Sequence, residues 1–220
     1  MNLSYFLKKD KIDSIGYETI YLEKPISNLI DFEWKNILAA PPKNTSETTT
    51  KELLLIAKST KNRSVKDIEL IHNVDQNLDE PFILLLNKYN IKYPQNYIDL
   101  FYDIVHPVLL NTKSYWNRAR PNQLAKYFNM TINVLVTDTH HTAAYPSGHT
   151  VYSNLVANIL KDLFPQINTK ELDHIVNETA RARVLQGVHF SSDNKASIIF
   201  SDYMFQKLHP KLRKYYNDTI

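Results

Sequence analysis

Residues 144–165 read AYPSGHTVYSNLVANILKDLFP. From Val151 onward the apolar residues recur at intervals of three and four, the spacing of one face of an α-helix. Ser147 and Gly148 stand where such a helix begins, and Pro165 stands where it must end. The stretch therefore predicts a helix that begins close to Gly148 and ends at Pro165.

Further segments show the same helical periodicity, and the breaks between them contain Pro, Asn or Asp, as expected of short connections. The predicted helices cover residues 27–40, 51–59, 66–73, 80–89, 97–110, about 169–186 and about 192–208. Only residues 132–136, INVLV, have the pattern of a strand, and one strand cannot form a sheet. The sequence therefore predicts an all-α, single-domain helical bundle over residues 1–220.

The composition excludes several classes of protein. With 220 residues, of which 43% are hydrophobic and 22% charged, the chain is long and apolar enough for one core. The net charge is +3, but the cations are spread along the chain, so nucleic-acid binding is not expected. The absence of cysteine excludes disulfides, a thiol nucleophile and a Cys-ligated zinc site.

The hydropathy of the chain bears on its location. No apolar stretch approaches the roughly 18 residues that a membrane-spanning helix needs. In the N-terminal residues MNLSYFLKKDKIDS, charged residues follow after only a few apolar ones, so the apolar segment is too short for a secretory signal. We therefore expect a soluble, cytoplasmic protein without a transmembrane segment, and the sequence leaves its oligomeric state, including homo-oligomer formation, open.

The first polar cluster lies in KSYWNRARP, residues 113–121. Lys113 supplies a point charge and Arg120 a planar fork that matches phosphate oxygens, so the two can converge on one anion. Taken alone, such a pair is more often explained as two solvated surface charges.

The second cluster is Pro146, Ser147, Gly148 and His149 at the start of the predicted helix. A hydroxyl, free backbone N–H groups and the positive end of the helix dipole together form an anion site, with His149 beside it. An N-cap serine followed by a solvated histidine explains this cluster equally well.

The third cluster lies in RVLQGVHFSSD, residues 183–193, and contains Arg183, His189 and Asp193. If the chain is helical after His189, Asp193 faces the same side and its carboxylate accepts a hydrogen bond from one imidazole nitrogen. The other nitrogen is then free to attack an electrophile. An isolated surface His–Asp pair of little energetic worth is the commoner explanation.

Together the three clusters resemble the signature of the phosphatidic acid phosphatase type 2 superfamily, which includes class A non-specific acid phosphatases and vanadium-dependent haloperoxidases. The resemblance covers about residues 113–193, whereas residues 1–100 carry no recognised motif. It implies one phosphatase domain with the helical-bundle fold of that superfamily.

The resemblance also implies a role for each residue of the three clusters. The catalytic residues are expected to be His189 as nucleophile, His149 as proton donor and Asp193 as the group that orients His189. The phosphate-binding residues are expected to be Lys113, Arg120, Ser147, Gly148 and Arg183. No metal ion or other cofactor is expected, and vanadate should bind as a phosphate mimic.

The resulting prediction is a metal-independent, acid phosphatase-like enzyme that hydrolyses small-molecule phosphate monoesters through a phosphohistidine, with phosphotransfer to alcohols left open. Because unperturbed histidine titrates near pH ~6.5, the rate is expected to peak in the acidic to neutral range. The alternatives are a vanadium-dependent haloperoxidase and a lipid phosphate phosphatase that acts at a membrane surface.

The sequence also supports predictions for other polar and aromatic residues. His140 and His141 are expected in a polar loop, and Arg118 and Arg181 as outer charges near the site. The remaining histidines, His72, His106, His174 and His209, are expected to be structural or solvated. Tyr115 and Trp116 are expected in the core rather than against a substrate ring.

Overall fold

The computed structural model describes residues 3–17, 24–137 and 139–217. Within these ranges the chain forms nine α-helices, two 3-10 helices and no β-strand, so the all-α prediction is confirmed. The α-helices are α1 (Leu3–Asp13), α2 (Glu47–Lys61), α3 (Val65–Gln76), α4 (Glu80–Lys88), α5 (Gln95–Trp116), α6 (Pro121–Ala125), α7 (Gly148–Leu163), α8 (Thr169–Gln186) and α9 (Ser191–Asn217). The 3-10 helices are Trp34–Asn36 and Lys126–Phe128.

Helix α7 is the helix predicted from residues 144–165, and it packs against α5, α8 and α9. Its apolar face is fully buried in the main core, with Val151, Val156 and Leu160 at zero exposure. Burial of such side chains contributes roughly 1.5–3 kcal/mol each. This packing fixes the N-terminus of α7, where Ser147 and Gly148 lie.

The helices α2, α3 and α4 pack against α8. Ile71 and Val74 of α3 form a small core with Ala182, and Leu53 and Ile56 of α2 form another with Phe190. The first hundred residues, which carry no recognised motif, therefore support the helix and the turn that carry Arg183 and His189.

The predicted helix over residues 27–40 is wrong. This segment is irregular apart from the 3-10 helix, although its apolar side chains pack against the main core as the pattern suggested. Tertiary contacts replace the helical ones: the Phe32 ring meets Tyr203 edge-on, and Lys211 Nζ donates to the carbonyl of Leu29 and to Asp31. Helical spacing of apolar residues here reflects contacts with α5 and α9 rather than a helix.

Residues 132–136 have no regular secondary structure and belong to no strand. They lie against the end of α8, where Leu135 N donates to the carbonyl of Gln186 and Gln186 Nε2 donates back to the carbonyl of Leu135. Gly187, with φ +87°, ends α8 in the left-handed conformation. A Cβ at Gly187 would lie 2.9 Å from Ile132 Cγ2, so the close approach of this segment also requires glycine.

Candidate active site

A cavity of about 310 Å³ lies between α5, the N-terminus of α7 and the turn from α8 to α9. Its lining contains five of the eight residues that the sequence predicts for the site: Lys113, Arg120, Gly148, His149 and His189. Ser147, Arg183 and Asp193 are buried among the same elements. The three sequence clusters thus converge on one cavity.

His189 follows the turn after α8 and is buried, with both ring nitrogens in contact with charged groups. Arg120 Nη1 lies 3.1 Å from Nε2, and Asp193 Oδ2 lies 3.3 Å from Nδ1. Because a guanidinium can only donate, Nε2 must accept and the ring proton must lie on Nδ1, where it is donated to Asp193. The tautomer therefore places the lone pair on Nε2, at the cavity.

Asp193 lies in the first turn of α9 and is held on both oxygens. Its Oδ2 accepts from the backbone N–H of Phe190 at 2.9 Å, and its Oδ1 accepts from Arg118 Nη1 at 2.5 Å. Burial raises the pKa of Asp193, while the Arg118 cation and the Phe190 N–H act against that rise. Arg118, which the sequence places only as an outer charge, is the ion-pair partner of Asp193.

Lys113 and Arg120 are positioned by the loop that precedes α7. Lys113 Nζ donates to the carbonyl of Ala143 at 2.8 Å, and Arg120 Nε donates to the carbonyl of Thr142 at 2.9 Å. Arg120 Nη1 also donates to the carbonyl of Val188 at 2.9 Å. Both cations are buried beside neutral carbonyl oxygens, an arrangement that favours an anion in the cavity.

Ser147 is the N-cap of α7, and Gly148 is the first residue of the helix. The Ser147 hydroxyl lies 3.2 Å from the hydroxyl of Thr150, which also donates to Asn194 Oδ1 at 3.0 Å. A Cβ on Gly148 would lie 3.9 Å from Lys113 Cε, so the helix N-terminus and the Lys113 side chain line the same part of the cavity. The helix dipole adds partial positive charge there.

His149 and Arg183 both contact Asp75, a residue of α3 that the sequence did not single out. Arg183 Nη1 donates to Asp75 Oδ1 at 3.0 Å, and His149 Nε2 lies 3.7 Å from the same oxygen. Arg183 Nη2 donates to the hydroxyl of Thr139. Arg183 Nε is buried and has no hydrogen-bond partner among the described residues, so one donor of this guanidinium is unsatisfied.

Burial and repulsion by nearby cations lower the pKa of three basic groups at the cavity, His189, His149 and Lys113. Burial lowers the pKa of His189 well below its usual value, and the cations Arg120 and Lys113 add to the effect. The same causes, burial first and then Arg183, lower the pKa of His149 to about 3. Burial also lowers the pKa of Lys113 well below its ordinary value. The predicted titration of two ordinary histidines therefore does not apply to this site without a bound anion.

The other sequence predictions meet mixed outcomes. His106 lines the cavity and stacks on Tyr102, and the buried His209 bonds to Tyr97 and Asp162, so both have partners that the sequence did not reveal. His140 and His141 lie in the loop before α7, as expected. Arg181 was expected near the site, but it forms ion pairs with Asp67 and Glu178 instead. His72 and His174 are exposed to solvent. Tyr115, which was expected in the core, is about half exposed.

Comparisons with known proteins agree with the fold and the motifs. Residues 100–206 match the family model of the PAP2 superfamily. The solved structure of the first transmembrane PAP2 type phosphatidylglycerolphosphate phosphatase from Bacillus subtilis superposes with a TM-score of 0.51. That match has 17% sequence identity and covers 80% of this chain and 89% of the other. No curated protein gives a significant match.

One difference from that structure concerns the membrane. The Bacillus subtilis protein is described as transmembrane, whereas no helix in residues 3–17, 24–137 or 139–217 of this chain is both long and apolar enough to cross a bilayer. The family match covers all three motifs, the whole of α7 and α8 and the larger part of α5 and α9. Residues 100–206, which contain every residue of the three sequence clusters, are therefore similar to the PAP2 superfamily.

Proposed function

We propose that this protein is a metal-independent phosphatase that hydrolyses phosphate monoesters through a phosphohistidine on His189. Similarity to the PAP2 superfamily supports phosphate-ester cleavage. The observation that carries the finer proposal is the state of His189, a buried imidazole with its proton on Nδ1 toward Asp193 and its Nε2 lone pair at a cavity lined by cations.

The phosphate group is held by charge and by helix geometry. Lys113 and Arg120 line the cavity, and the unsatisfied Nε of Arg183 supplies a further donor. The Ser147 hydroxyl and the Gly148 N–H add hydrogen bonds at the positive end of α7. Stabilising charge on the phosphoryl oxygens is the main task in phosphoryl transfer, and these groups perform it without a metal ion.

In the first step, the His189 Nε2 lone pair attacks phosphorus in line as the ester P–O bond breaks. The electron pair of that bond leaves with the ester oxygen, which receives a proton from His149. The bound phosphate must first replace Nε2 as the acceptor for Arg120 Nη1. Asp193 stabilises the cationic phosphoimidazole, because its carboxylate accepts from Nδ1 throughout.

In the second step, water attacks phosphorus and the P–N bond breaks. The electron pair returns to Nε2, while His149 takes the proton of the attacking water and regains its starting state. An alcohol in place of water gives phosphotransfer by the same route. The protein is thus restored, and phosphate and alcohol are the products of hydrolysis.

The proton on His149 can enter with the substrate. The pKa of His149 is about 3 without an anion, but a phosphate monoester has a second pKa near ~6 and binds in part as the monoanion. A bound dianion beside His149 raises the pKa of His149, so a proton brought by the ester can reside on the imidazole. This supports an acid to neutral optimum despite the low pKa of the empty site.

A lipid phosphate is the second candidate substrate. The cavity lining includes Leu78, Tyr102, Leu109 and Leu110, and the structurally similar Bacillus subtilis protein is a phosphatidylglycerolphosphate phosphatase. An apolar wall suits the alcohol part of such a substrate. Comparing turnover of p-nitrophenyl phosphate with that of phosphatidylglycerol phosphate in detergent micelles separates a small-ester phosphatase from a lipid phosphatase.

The test of the mechanism uses p-nitrophenyl phosphate with EDTA present and the variants His189→Ala and His174→Ala. We expect the wild type to be active in EDTA and inhibited competitively by vanadate, which mimics the five-coordinate transition state. His189→Ala should lose at least about 10³-fold in kcat, because it removes the nucleophile. His174→Ala, at an exposed position on α8, should match the wild type.

Three results would contradict the proposal. Loss of wild-type activity in EDTA would require a metal ion in the reaction. Activity retained by His189→Ala would place the nucleophile elsewhere, and trapping of a phosphorylated protein that is stable to acid rather than to alkali would do the same.

A further inference from the structure

Asp75 brings a negative charge into the cation-lined site from outside the segment that matches the PAP2 superfamily. Its Oδ1 accepts from Arg183 Nη1 at 3.0 Å and from the Thr137 hydroxyl at 3.0 Å, and it also accepts from the Thr139 hydroxyl. His149 Nε2 lies 3.7 Å from the same oxygen. One carboxylate oxygen is therefore shared by a cation, two hydroxyls and the imidazole assigned as proton donor.

The fold fixes Asp75 in this place. It lies in the last turn of α3, directly after the buried Val74, and α3 packs against α8. The Asp75 side chain is 11% exposed. Since α8 also carries Arg183, the packing of these two helices sets the distance between the carboxylate and the guanidinium.

We propose that Asp75 is a positioning residue, which orients His149 and keeps it protonated, so that His149 can deliver a proton to the leaving group. The proposal rests on the phosphatase mechanism given above. His149 Nε2 lies 3.7 Å from Asp75 Oδ1, within ion-pair distance, so the carboxylate stabilises the protonated form of His149. The shared oxygen also couples the orientation of His149 to that of Arg183.

The charges around His149 show why such a carboxylate is needed. Arg183 on α8, Lys113 on α5, Arg120 before α6 and burial all lower the pKa of His149, while Asp75 on α3 raises it. An opposite charge at this distance is typically worth about 1–3 pH units. Without Asp75, His149 would hold its proton in a narrower and more acidic range.

A purely structural role for Asp75 makes a different prediction. If Asp75 only braces Arg183, its loss weakens phosphate binding for every ester alike. If it sustains proton donation, its loss matters in proportion to the basicity of the leaving oxygen, because a weakly basic p-nitrophenolate leaves with little help and phenolate needs more. Esters of similar size but different leaving-group basicity therefore distinguish the two roles.

The experiment compares p-nitrophenyl phosphate with phenyl phosphate for the wild type, Asp75→Asn, Asp75→Glu and Asp67→Asn. We expect Asp75→Asn to lose at least about tenfold more kcat on phenyl phosphate than on p-nitrophenyl phosphate. The basic limb of its kcat profile should move to lower pH by about one unit or more, because His149 then loses its proton earlier. Asp75→Glu, which keeps the carboxylate, should recover part of the phenyl phosphate activity.

Asp67→Asn is the matched control, because Asp67 lies on the same helix and pairs with Arg181 of α8 away from the cavity. It should show equal, small effects on both esters and an unmoved pH profile. Equal losses on both esters by Asp75→Asn, with an unmoved basic limb, would overturn the proposal and leave Asp75 as a brace for Arg183. Failure of the phosphatase mechanism itself would appear separately, as activity retained by His189→Ala.

Discussion

Arg118 lies between two buried carboxylates and helps to connect the segment that carries His189 to the N-terminal helices. Its Nη1 donates to Asp193 at 2.5 Å, its Nη2 lies 3.6 Å from Glu52 Oε2, and its guanidinium stacks 4.1 Å from the Phe190 ring centroid. Glu52 in turn accepts from the backbone N–H of Ser192 at the start of α9. A line of alternating charges thus runs from α2 to His189.

This arrangement predicts strong coupling between Arg118 and Asp193. Arg118→Met leaves the Asp193 carboxylate buried without its cation, so we expect a loss of about 3–5 kcal/mol in the free energy of unfolding. In the double variant with Asp193→Asn the charge at position 193 is no longer left without its cation, and the loss should be smaller than the sum of the single losses by about 1–3 kcal/mol. Urea unfolding of the four proteins measures this difference.

A solvent-exposed ion pair provides the control for this double-mutant comparison. Lys51→Ala breaks the solvent-exposed pair with Glu47 on α2 and should change stability by less than about 1 kcal/mol. Strict additivity of the Arg118 and Asp193 substitutions would mean that the short contact between them carries no net energy.

At the scale of elements, regular structure with its own local signals was predictable from sequence. Seven predicted helices correspond to α2, α3, α4, α5, α7, α8 and α9, because each has an uninterrupted apolar face and clear end signals. Residues 27–40 have the same periodicity, but their apolar side chains are buried because the segment lies across α5 and α9. The local sequence pattern cannot distinguish such an irregular segment from a helix.

The candidate site, like the fold, was predictable only where the signal is local in sequence. The residues of the three clusters were found because each cluster is local in sequence and together they resemble a known family. Asp75 and Glu52 were not found, because each reaches the site through helix packing, over 108 residues from Asp75 to Arg183 and 140 from Glu52 to Ser192. No local signal marks such a contact.

Two glycines at helix ends allow a paired prediction. Gly187 has φ +87°, and an added Cβ would lie 2.9 Å from Ile132 Cγ2 and 3.1 Å from Thr60 Cγ2, so Gly187→Ala should cost about 1–3 kcal/mol of stability. A Cβ at Gly148 would make ordinary contacts, at 3.7 Å from Leu109 Cδ2 and 3.9 Å from Lys113 Cε. Gly148→Ala should therefore keep its stability within about 0.5 kcal/mol.

The Gly148→Ala variant, which should keep its stability, should nevertheless lose activity. The Gly148→Ala methyl group would stand beside Lys113 in the cavity lining, so kcat/KM for p-nitrophenyl phosphate should fall although the protein is stable. Thermal unfolding and kinetics on both variants measure the two effects. A Gly148→Ala variant with wild-type kcat/KM would show that the start of α7 does not contact the phosphate.

At the scale of the whole molecule, the buried histidines make stability depend on pH. The folded state lowers the pKa of His149 to about 3 and lowers that of His189, whereas both titrate near ~6.5 when unfolded. Below about pH 6.5 the unfolded chain binds more protons, so stability falls as the pH falls toward the folded pKa values. Burial raises the pKa of Asp75, but its hydroxyl and Arg183 partners together lower it below the ordinary value, so Asp75 adds to the loss of stability at still lower pH.

We therefore expect the free energy of unfolding to drop between about pH 7 and about pH 5, by on the order of 1 kcal/mol per pH unit for each of the two histidines. His149→Asn should remove its share of this slope, and His174→Asn, at an exposed position, should leave the slope unchanged. Inorganic phosphate in excess should make the slope shallower, because a bound anion raises the pKa of His149 and lets the folded state take up the same proton. Urea unfolding with and without phosphate, across this pH range, measures both effects; a slope that phosphate does not change would mean that the anion binds away from His149.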